Sequence, residues 1–128
     1  MAAEKTQRLV LLVDDYEDSR FIYVHTLTQA GFAVAEAADG QEALDKAFAL
    51  APDVIVMDLS LPVIDGWEAI RRLRSDERTA KTPIVALTGH SLSPGDNNPG
   101  YDELLVKPCL PDTVVAAIKK RVDGSSST

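Results

Sequence analysis

Short apolar runs alternate with amphipathic stretches along this chain, and the two kinds of stretch differ in period. Five runs are rich in β-branched and long apolar residues, which indicates buried strands, and four stretches repeat apolar residues every three or four positions, which indicates helices. The predicted strands are 8–13, 32–37, 54–57, 83–87 and 104–106, and the predicted helices are 17–30, 41–50, 66–74 and 111–122. This repeat predicts an α/β fold, with a parallel sheet covered by helices on both faces.

The predicted helices have apolar faces, and the residues around two of them favour their ends. Gly31 lies just past the first helix as a stop, and Asp39 can cap the second. The predicted inward faces are Ile22, Tyr23, Thr26, Leu27 and Ala30 in the first helix, Ala43, Leu44, Ala47 and Leu50 in the second, Trp67, Ile70 and Leu73 in the third, and Val114, Val115, Ile118 and Val122 in the last. These faces are expected to pack on the sheet.

Asp58 ends an apolar run that is typical of a central strand buried on both faces. In open parallel sheets, ligands bind beyond the carboxyl ends of the strands, near the point where the strand order reverses. Asp14 and Asp15 follow the first strand, Thr88 follows the fourth and Lys107 follows the fifth. We therefore expect these polar residues to meet at one edge of the sheet, around Asp58.

Three carboxylates in one place repel one another, so the predicted edge needs a cation. Mg²⁺ fits because it prefers hard oxygen ligands and keeps several waters, whereas zinc prefers nitrogen and sulfur. Neither His25 nor His90 has a partner at metal-ligand spacing in the sequence. Lys107 can supply a fixed positive charge to the same chemistry, or it can simply neutralise a carboxylate. Asp14 and Asp15, taken alone, could instead cap a helix.

The composition narrows the class of protein. A length of 128 residues, with 45% apolar and 26% charged residues, is ordinary for one globular domain. No apolar stretch approaches the roughly 20 residues of a membrane span, and the first residues lack the apolar core of a signal peptide. Cys109 is the one cysteine, so no internal disulfide is possible. We therefore expect a cytoplasmic protein with no membrane partner.

The net charge of −7 lies in the first half of the chain, because residues 1–64 hold 11 acids and 4 bases, whereas residues 65–128 hold 9 of each. This balance argues against direct nucleic-acid binding, which needs a positive face. The second half contains a basic cluster that is expected to be the solvated side of a helix. It comprises Arg71, Arg72, Arg74, Arg78 and Lys81.

The residues at the strand ends, taken in order, resemble the receiver domain of bacterial two-component response regulators. The matching motifs are Asp14-Asp15, Asp58-Leu59-Ser60-Leu61-Pro62 followed by Asp65-Gly66, Thr88, and Lys107-Pro108. The resemblance implies a receiver domain over 8–123, with 1–7 and 124–128 as flexible termini. It also implies a doubly wound, flavodoxin-like sheet of five parallel strands in the order 2-1-3-4-5, the order of the chemotaxis receiver.

The same resemblance implies a phosphorylation-dependent signalling switch. Asp58 would accept a phosphoryl group from a histidine kinase or phosphotransfer protein, and Lys107 and Thr88 would contact phosphoryl oxygens. The changed surface would then bind a downstream protein. Such a domain assists its own phosphorylation and dephosphorylation without being an enzyme in the ordinary sense. The implied Mg²⁺ ligands are Asp15 and Asp58 directly, Asp14 through water, and the backbone carbonyl of Ser60.

Two features depart from the family pattern. Leu104 stands where the family often has Tyr or Phe, and the segment 91–101 is shorter than usual. That segment holds two prolines and two glycines, which disfavour a helix. We expect a fourth family helix of one turn at most, with partner binding either shifted toward the first and last helices or dependent on ordering of this loop.

Two alternatives remain open at this point. One is an unphosphorylated protein-interaction module on the same fold, in which the switch has been lost. The other is a Mg²⁺-dependent phosphohydrolase of the haloacid dehalogenase type, which also uses an aspartate nucleophile. That family needs a second acid two residues after the nucleophile, where this chain has Ser60.

Overall fold

The computed structural model describes residues 7–89 and 98–123, which form one parallel sheet with helices on both faces. The strands are β1 (Leu9–Val13), β2 (Ala33–Ala37), β3 (Val54–Asp58), β4 (Ile84–Thr88) and β5 (Glu103–Val106). The helices in these residues are α1 (Glu17–Gln29), α2 (Gly40–Leu50), α3 (Gly66–Ser75) and α4 (Pro111–Asp123). Every predicted strand and helix is present, with ends that differ from the prediction by at most one residue.

The strand order is β2-β1-β3-β4-β5, which confirms the predicted order 2-1-3-4-5. All neighbouring strands are parallel, and Leu11 of β1 lies opposite Ala35 of β2 and Ile55 of β3. β3 and β4 are buried along their whole length, which explains their almost continuous apolar sequence. The order reverses between β1 and β3, so the crevice where ligands bind in such sheets lies beyond the carboxyl ends of these two strands.

Two apolar clusters, one on each face of the sheet, form the core. α2 and α3 pack on one face through residues such as Leu44 and Ile70. α1 and α4 pack on the other face through residues such as Leu27 and Ile118. Burial of this apolar surface holds the five strands together and leaves their carboxyl ends available for polar residues.

Two of the predicted inward assignments were wrong. Ile22 is 52% exposed, because neighbouring residues on a helix lie about 100° apart and Tyr23 takes the inward position. Leu50 is 45% exposed. It is the last residue of α2, and the helix ends just after it, at Ala51, whose conformation is left-handed with φ 49°.

The prediction that the basic cluster is solvated was wrong for Arg74, whose side chain is 20% exposed. Its guanidinium donates hydrogen bonds to the main-chain oxygens of Thr79, Ala80, Thr82 and Gly100 and to the carboxylate of Asp102. Because Arg74 lies in the last turn of α3, its guanidinium group reaches the loop that follows the helix and the chain that enters β5. Arg74 is thus a structural residue at the amino end of β4 and β5.

Some sequence predictions concern residues outside the described ranges. Residues 90–97, where the short or absent fourth family helix was expected, lie outside them, as do residues 1–6 and 124–128 of the predicted flexible termini. Residues 98–101 are described and are not helical. Within the described residues, no helix is long and apolar enough to cross a membrane.

Candidate functional site

Asp58 is the last residue of β3 and is only 5% exposed. The Lys107 ammonium donates to its Oδ2 at 2.8 Å, and the main-chain N–H of Ser60 donates to its Oδ1 at 2.9 Å. Each carboxylate oxygen therefore has a donor, and one of the two donors is positively charged. A carboxylate that is buried and also paired in this way keeps its position without needing solvent.

Asp14 and Asp15 follow β1, directly beside the end of β3. Asp14 is fully buried, and its carboxylate accepts hydrogen bonds from the Tyr16 main-chain N–H at 2.9 Å and from the Ser19 hydroxyl. Asp15 is exposed. One carboxylate oxygen from each of Asp14, Asp15 and Asp58 lies within 4.8 Å of the others. The strand ends thus bring the three predicted acids into one cluster.

The cluster has more negative than positive charge. Burial alone would lower the pKa of Lys107, but its hydrogen bond to Asp58 and the charges of Asp58 and Asp14 outweigh burial and raise that pKa above its usual value. Lys107 is therefore an ammonium at neutral pH and faces three acids. The donor set consists of hard carboxylate oxygens, two of them buried, which fits a Mg²⁺ ion better than a zinc ion.

Thr88 lies on the other side of Asp58, at the end of β4. Asp58 is in register with Leu87, so Thr88 is one residue further along the neighbouring strand. It is 4% exposed, and its main-chain oxygen accepts a hydrogen bond from the Lys107 main-chain N–H at 2.7 Å. The backbone thereby keeps Thr88 and Lys107 side by side at the edge where Asp58 lies.

The loop between Asp58 and α3 is tightly packed against the site. A Cβ atom on Gly66 would lie 2.3 Å from the main-chain oxygen of Asp58, so no other residue fits there without displacement. The Asp65 side chain caps α3 by accepting from the Glu68 main-chain N–H at 2.9 Å. Val63, within the loop, has φ 69°, which is unusual for a β-branched residue. The Asp65-Gly66 motif therefore serves the geometry of the loop that leaves Asp58.

The predicted site residues gather at this edge, and their roles stay predictions. The structure brings Asp14, Asp15, Asp58 and Lys107 into one group, with Thr88 on the adjacent strand end. Ser60 contributes its main-chain N–H to Asp58 in this geometry. Its carbonyl, rather than this N–H, was the predicted metal ligand.

Sequence reasoning missed the residues that orient Asp14. These are Tyr16 and Ser19, described above, and Arg20, whose guanidinium donates to the main-chain oxygen of Asp14 at 2.7 Å. The available signal was position, because Ser19 and Arg20 fall in the first turn of the helix that begins just after the acidic pair. Side chains there can reach back to the preceding loop.

Comparison with protein-family models matches residues 10–119 to the response regulator receiver domain. The chain belongs to this family. Receiver domains are the phosphoacceptor signalling domains of two-component systems, and the acidic cluster described above is compatible with binding a metal ion.

Two relatives show how much of each protein the sequence similarity covers. The chemotaxis protein CheY of Thermotoga maritima is 34% identical over 113 residues, which cover 87% of this chain and 94% of that protein. The transcriptional regulatory protein PrrA of Mycobacterium tuberculosis is 37% identical, with 96% of this chain and 54% of that protein covered. The chain therefore spans about half the length of the transcriptional regulator and nearly all of the chemotaxis protein.

Solved structures of receiver domains are similar as well. The chemotaxis response regulator CheY4 of Vibrio cholerae superposes with a TM-score of 0.82 at 38% identity, covering 90% of this chain and 98% of that one. The receiver domain of the sensor histidine kinase PA1611 from Pseudomonas aeruginosa, solved with a magnesium ion coordinated in its active site cleft, gives a TM-score of 0.85 at 30% identity. The superposition covers 91% of this chain and 98% of that domain.

Proposed function

We propose that this receiver domain is a phosphorylation-dependent switch in which Asp58 accepts a phosphoryl group with the help of Mg²⁺. The observation that carries the proposal is the placement of one buried carboxylate, Asp58, between a cation at 2.8 Å and two further acids within 4.8 Å. A carboxylate is ionised at neutral pH and needs no general base to act as a nucleophile. Phosphoryl transfer then requires mainly alignment and charge neutralisation.

The reaction would exchange one bond to phosphorus for another. A carboxylate oxygen of Asp58 would form a bond to phosphorus while the phosphorus–nitrogen bond of a donor phosphohistidine breaks, and the imidazole would leave with the electron pair. Lys107 would stabilise a phosphoryl oxygen, and the Thr88 hydroxyl would donate a hydrogen bond to another. Asp15 and Asp58 would hold Mg²⁺ directly, Asp14 through water and Ser60 through its carbonyl, and the ion would supply positive charge beside the phosphoryl oxygens.

The donor would be a histidine kinase or a phosphotransfer protein in the cytoplasm. Three apolar side chains close in sequence to the site are exposed and could contact such a protein. Tyr16 follows Asp15 and is 62% exposed, Phe21 of α1 is 72% exposed, and Leu110, three residues after Lys107, is 71% exposed. Such side chains suit contact with a protein donor, whereas a small phosphodonor would need only the polar site.

The output of the switch would pass through Thr88 to a downstream protein whose identity stays open. The main-chain bond between Thr88 and Lys107 ties the end of β4 to the end of β5. An inward movement of Thr88 toward a phosphorylated Asp58 would therefore shift both strand ends together. The two arrangements would have to differ by only a few kcal/mol for phosphorylation to select between them.

Intact-mass spectrometry after treatment with acetyl phosphate tests the proposal. We expect one phosphoryl group on the wild type with Mg²⁺ and none with EDTA, and Asp58→Asn should abolish labelling. Asp65→Asn is the matched control, because Asp65 is another acid in the loop that follows Asp58. Asp65 caps α3 and lies outside the acidic cluster. Labelling on another residue of the wild type would refute the assignment, and no Mg²⁺-dependent labelling would favour an unphosphorylated interaction module.

A further inference from the structure

Arg20 in the first turn of α1 connects the acidic cluster to the edge strand of the sheet. Its Nη1 donates to the main-chain oxygen of Asp14 at 2.7 Å, and its Nε donates to the Glu36 carboxylate at 3.0 Å. The Arg20 side chain is 17% exposed and its contact with Asp14 is partly buried, whereas the Glu36 side chain at the other contact is 49% exposed. One guanidinium thus joins the loop that follows β1 to strand β2.

The oxygen that Arg20 binds belongs to the peptide group between Asp14 and Asp15. The Asp14 main-chain N–H is already held by the Ala37 oxygen at 3.1 Å, and its carboxylate is held by Tyr16 and Ser19. By binding this oxygen, Arg20 fixes the orientation of the peptide group between Asp14 and Asp15. That orientation sets the direction of the Asp15 side chain. Asp15 is the exposed member of the cluster, so this peptide orientation is its main constraint from the Asp14 side.

A second cation holds the main chain of Glu36, the residue whose carboxylate Arg20 binds. Lys46 of α2 donates to the main-chain oxygen of Glu36 and pairs with Glu42 at 3.1 Å. The same Glu42 accepts a hydrogen bond from the Ala38 main-chain N–H at 2.8 Å. These side chains line a polar cleft of about 130 Å³ beside the end of β2. The main chain of Glu36 is therefore held by Lys46, and its half-exposed carboxylate binds Arg20 from strand β2.

We propose that Arg20 is a positioning residue, which orients the Asp14–Asp15 peptide so that both carboxylates face Asp58. The inference depends on the proposed function, because it assigns Arg20 to the metal site of the phosphoacceptor. An arginine suits the task, since one planar group has to reach two acceptors. Residues that orient metal ligands in this way commonly change metal affinity by 10-fold to 100-fold when they are replaced.

A positioning role and a purely electrostatic role of Arg20 predict opposite changes in Mg²⁺ affinity when Arg20 is replaced. A positive charge beside three carboxylates disfavours a bound cation, so its removal would strengthen Mg²⁺ binding if charge were its only effect. Loss of ligand orientation would weaken binding instead. We expect Arg20→Met to weaken Mg²⁺ binding to the unphosphorylated protein roughly tenfold in isothermal titration calorimetry. Equal or tighter binding would overturn the proposal.

Lys46→Met is the matched control, because it removes the same charge from the same cleft and has no contact with Asp14 among the hydrogen bonds described. We expect its Mg²⁺ affinity to be unchanged or slightly higher. Arg20→Lys keeps the charge but loses the fork, so its affinity should fall between those of the wild type and Arg20→Met. If Arg20→Met fails to fold, Arg20→Lys carries the test, and wild-type affinity in that variant would overturn the proposal.

Amide hydrogen exchange without Mg²⁺ separates this inference from the proposed function. The Tyr16 N–H reports on the loop, because it is bonded to the Asp14 carboxylate at 2.9 Å. We expect it to exchange several-fold faster in Arg20→Met than in the wild type or Lys46→Met, while the amides of β3 keep their protection. Unchanged exchange at Tyr16 would overturn the positioning role. Absence of Mg²⁺ binding to the wild type would instead remove the proposed metal site and leave this measurement valid.

Discussion

Asp15→Asn should raise the stability of the metal-free protein and reduce the stabilisation that Mg²⁺ provides. The substitution keeps the size of the side chain and removes one charge from a cluster of three acids. Asp15 is the exposed member, so its replacement costs little packing. The prediction thus separates the electrostatic cost of the cluster from its use as a metal site.

The size of the effect follows from the spacing of the carboxylates. The oxygens lie within 4.8 Å of one another, and at that distance two like charges repel by about 0.9 kcal/mol in water and about 3.5 kcal/mol at an effective dielectric constant of 20. The exposure of Asp15 favours the lower figure, and Lys107 offsets part of the charge. We therefore expect a gain of about 1 kcal/mol in the free energy of unfolding without metal.

Mg²⁺ should change the difference in stability between Asp15→Asn and the wild type. A ligand that binds only the folded protein at a hundred times its Kd stabilises it by about 2.7 kcal/mol, and a tenfold weaker Kd reduces this to about 1.4 kcal/mol. Urea denaturation in EDTA and at one fixed, saturating Mg²⁺ concentration measures both quantities. The stabilisation due to Mg²⁺ should be roughly halved in Asp15→Asn.

Asp18→Asn is the matched control for this experiment. Asp18 is an exposed acid in the first turn of α1, where a negative charge interacts favourably with the helix dipole, so its loss should cost a few tenths of a kcal/mol. Its Mg²⁺ increment should equal that of the wild type. An Asp15→Asn protein no more stable than the wild type in EDTA, or equal stabilisation of both proteins by Mg²⁺, would refute the prediction.

Two further predictions concern stability and pH. Arg74→Met should lower the free energy of unfolding by about 2 kcal/mol in urea titrations, because it removes a charged donor from several partly buried main-chain oxygens. Arg72→Met, on the exposed side of the same helix, should cost less than about 0.5 kcal/mol. A hydrogen bond from the Ala38 main-chain N–H, and to a smaller extent one from Lys46, lowers the pKa of Glu42 from its usual value of 4.5. The ionised carboxylate therefore stabilises the fold at pH values above 4.5, and this contribution fades as the pH falls below 4.5. The stability difference between wild type and Glu42→Gln should therefore shrink on acidification, and a constant difference would contradict this.

The fold and the members of the site could be predicted from the sequence because both depend on backbone position. An apolar run identifies a buried strand, and the residue after it must lie at the carboxyl edge of a parallel sheet. This reasoning located Asp58, Lys107 and the acidic pair. The inward side of α1 was harder to predict, because Ile22 and Tyr23 are adjacent and either could have faced the core.

Arg20 and Arg74 could not be assigned from sequence for a different reason. Both are long side chains whose acceptors include main-chain oxygens of other segments, namely Asp14 for one and the loop 79–82 for the other. Every residue has such an oxygen, so no pattern of residue types marks which carbonyl an arginine will reach. Arg74 in particular was grouped with the solvated bases because it lies in the same basic cluster of the sequence.

The contacts around the site also limit where a phosphorylation signal could leave it. The Asp14 side of the site is restrained by Arg20, Tyr16 and Ser19, and the loop after Asp58 is restrained by the close approach of Gly66. A movement on either side would break these contacts at a cost of several hydrogen bonds or a steric clash. Thr88 is joined to β5 by strand pairing with Val106 and by the main-chain bond from Lys107, and both Thr88 and Lys107 are proposed to bind the phosphoryl group. A conformational change would therefore spread most readily along the ends of β4 and β5, where moving the two strand ends together preserves the bond that joins them.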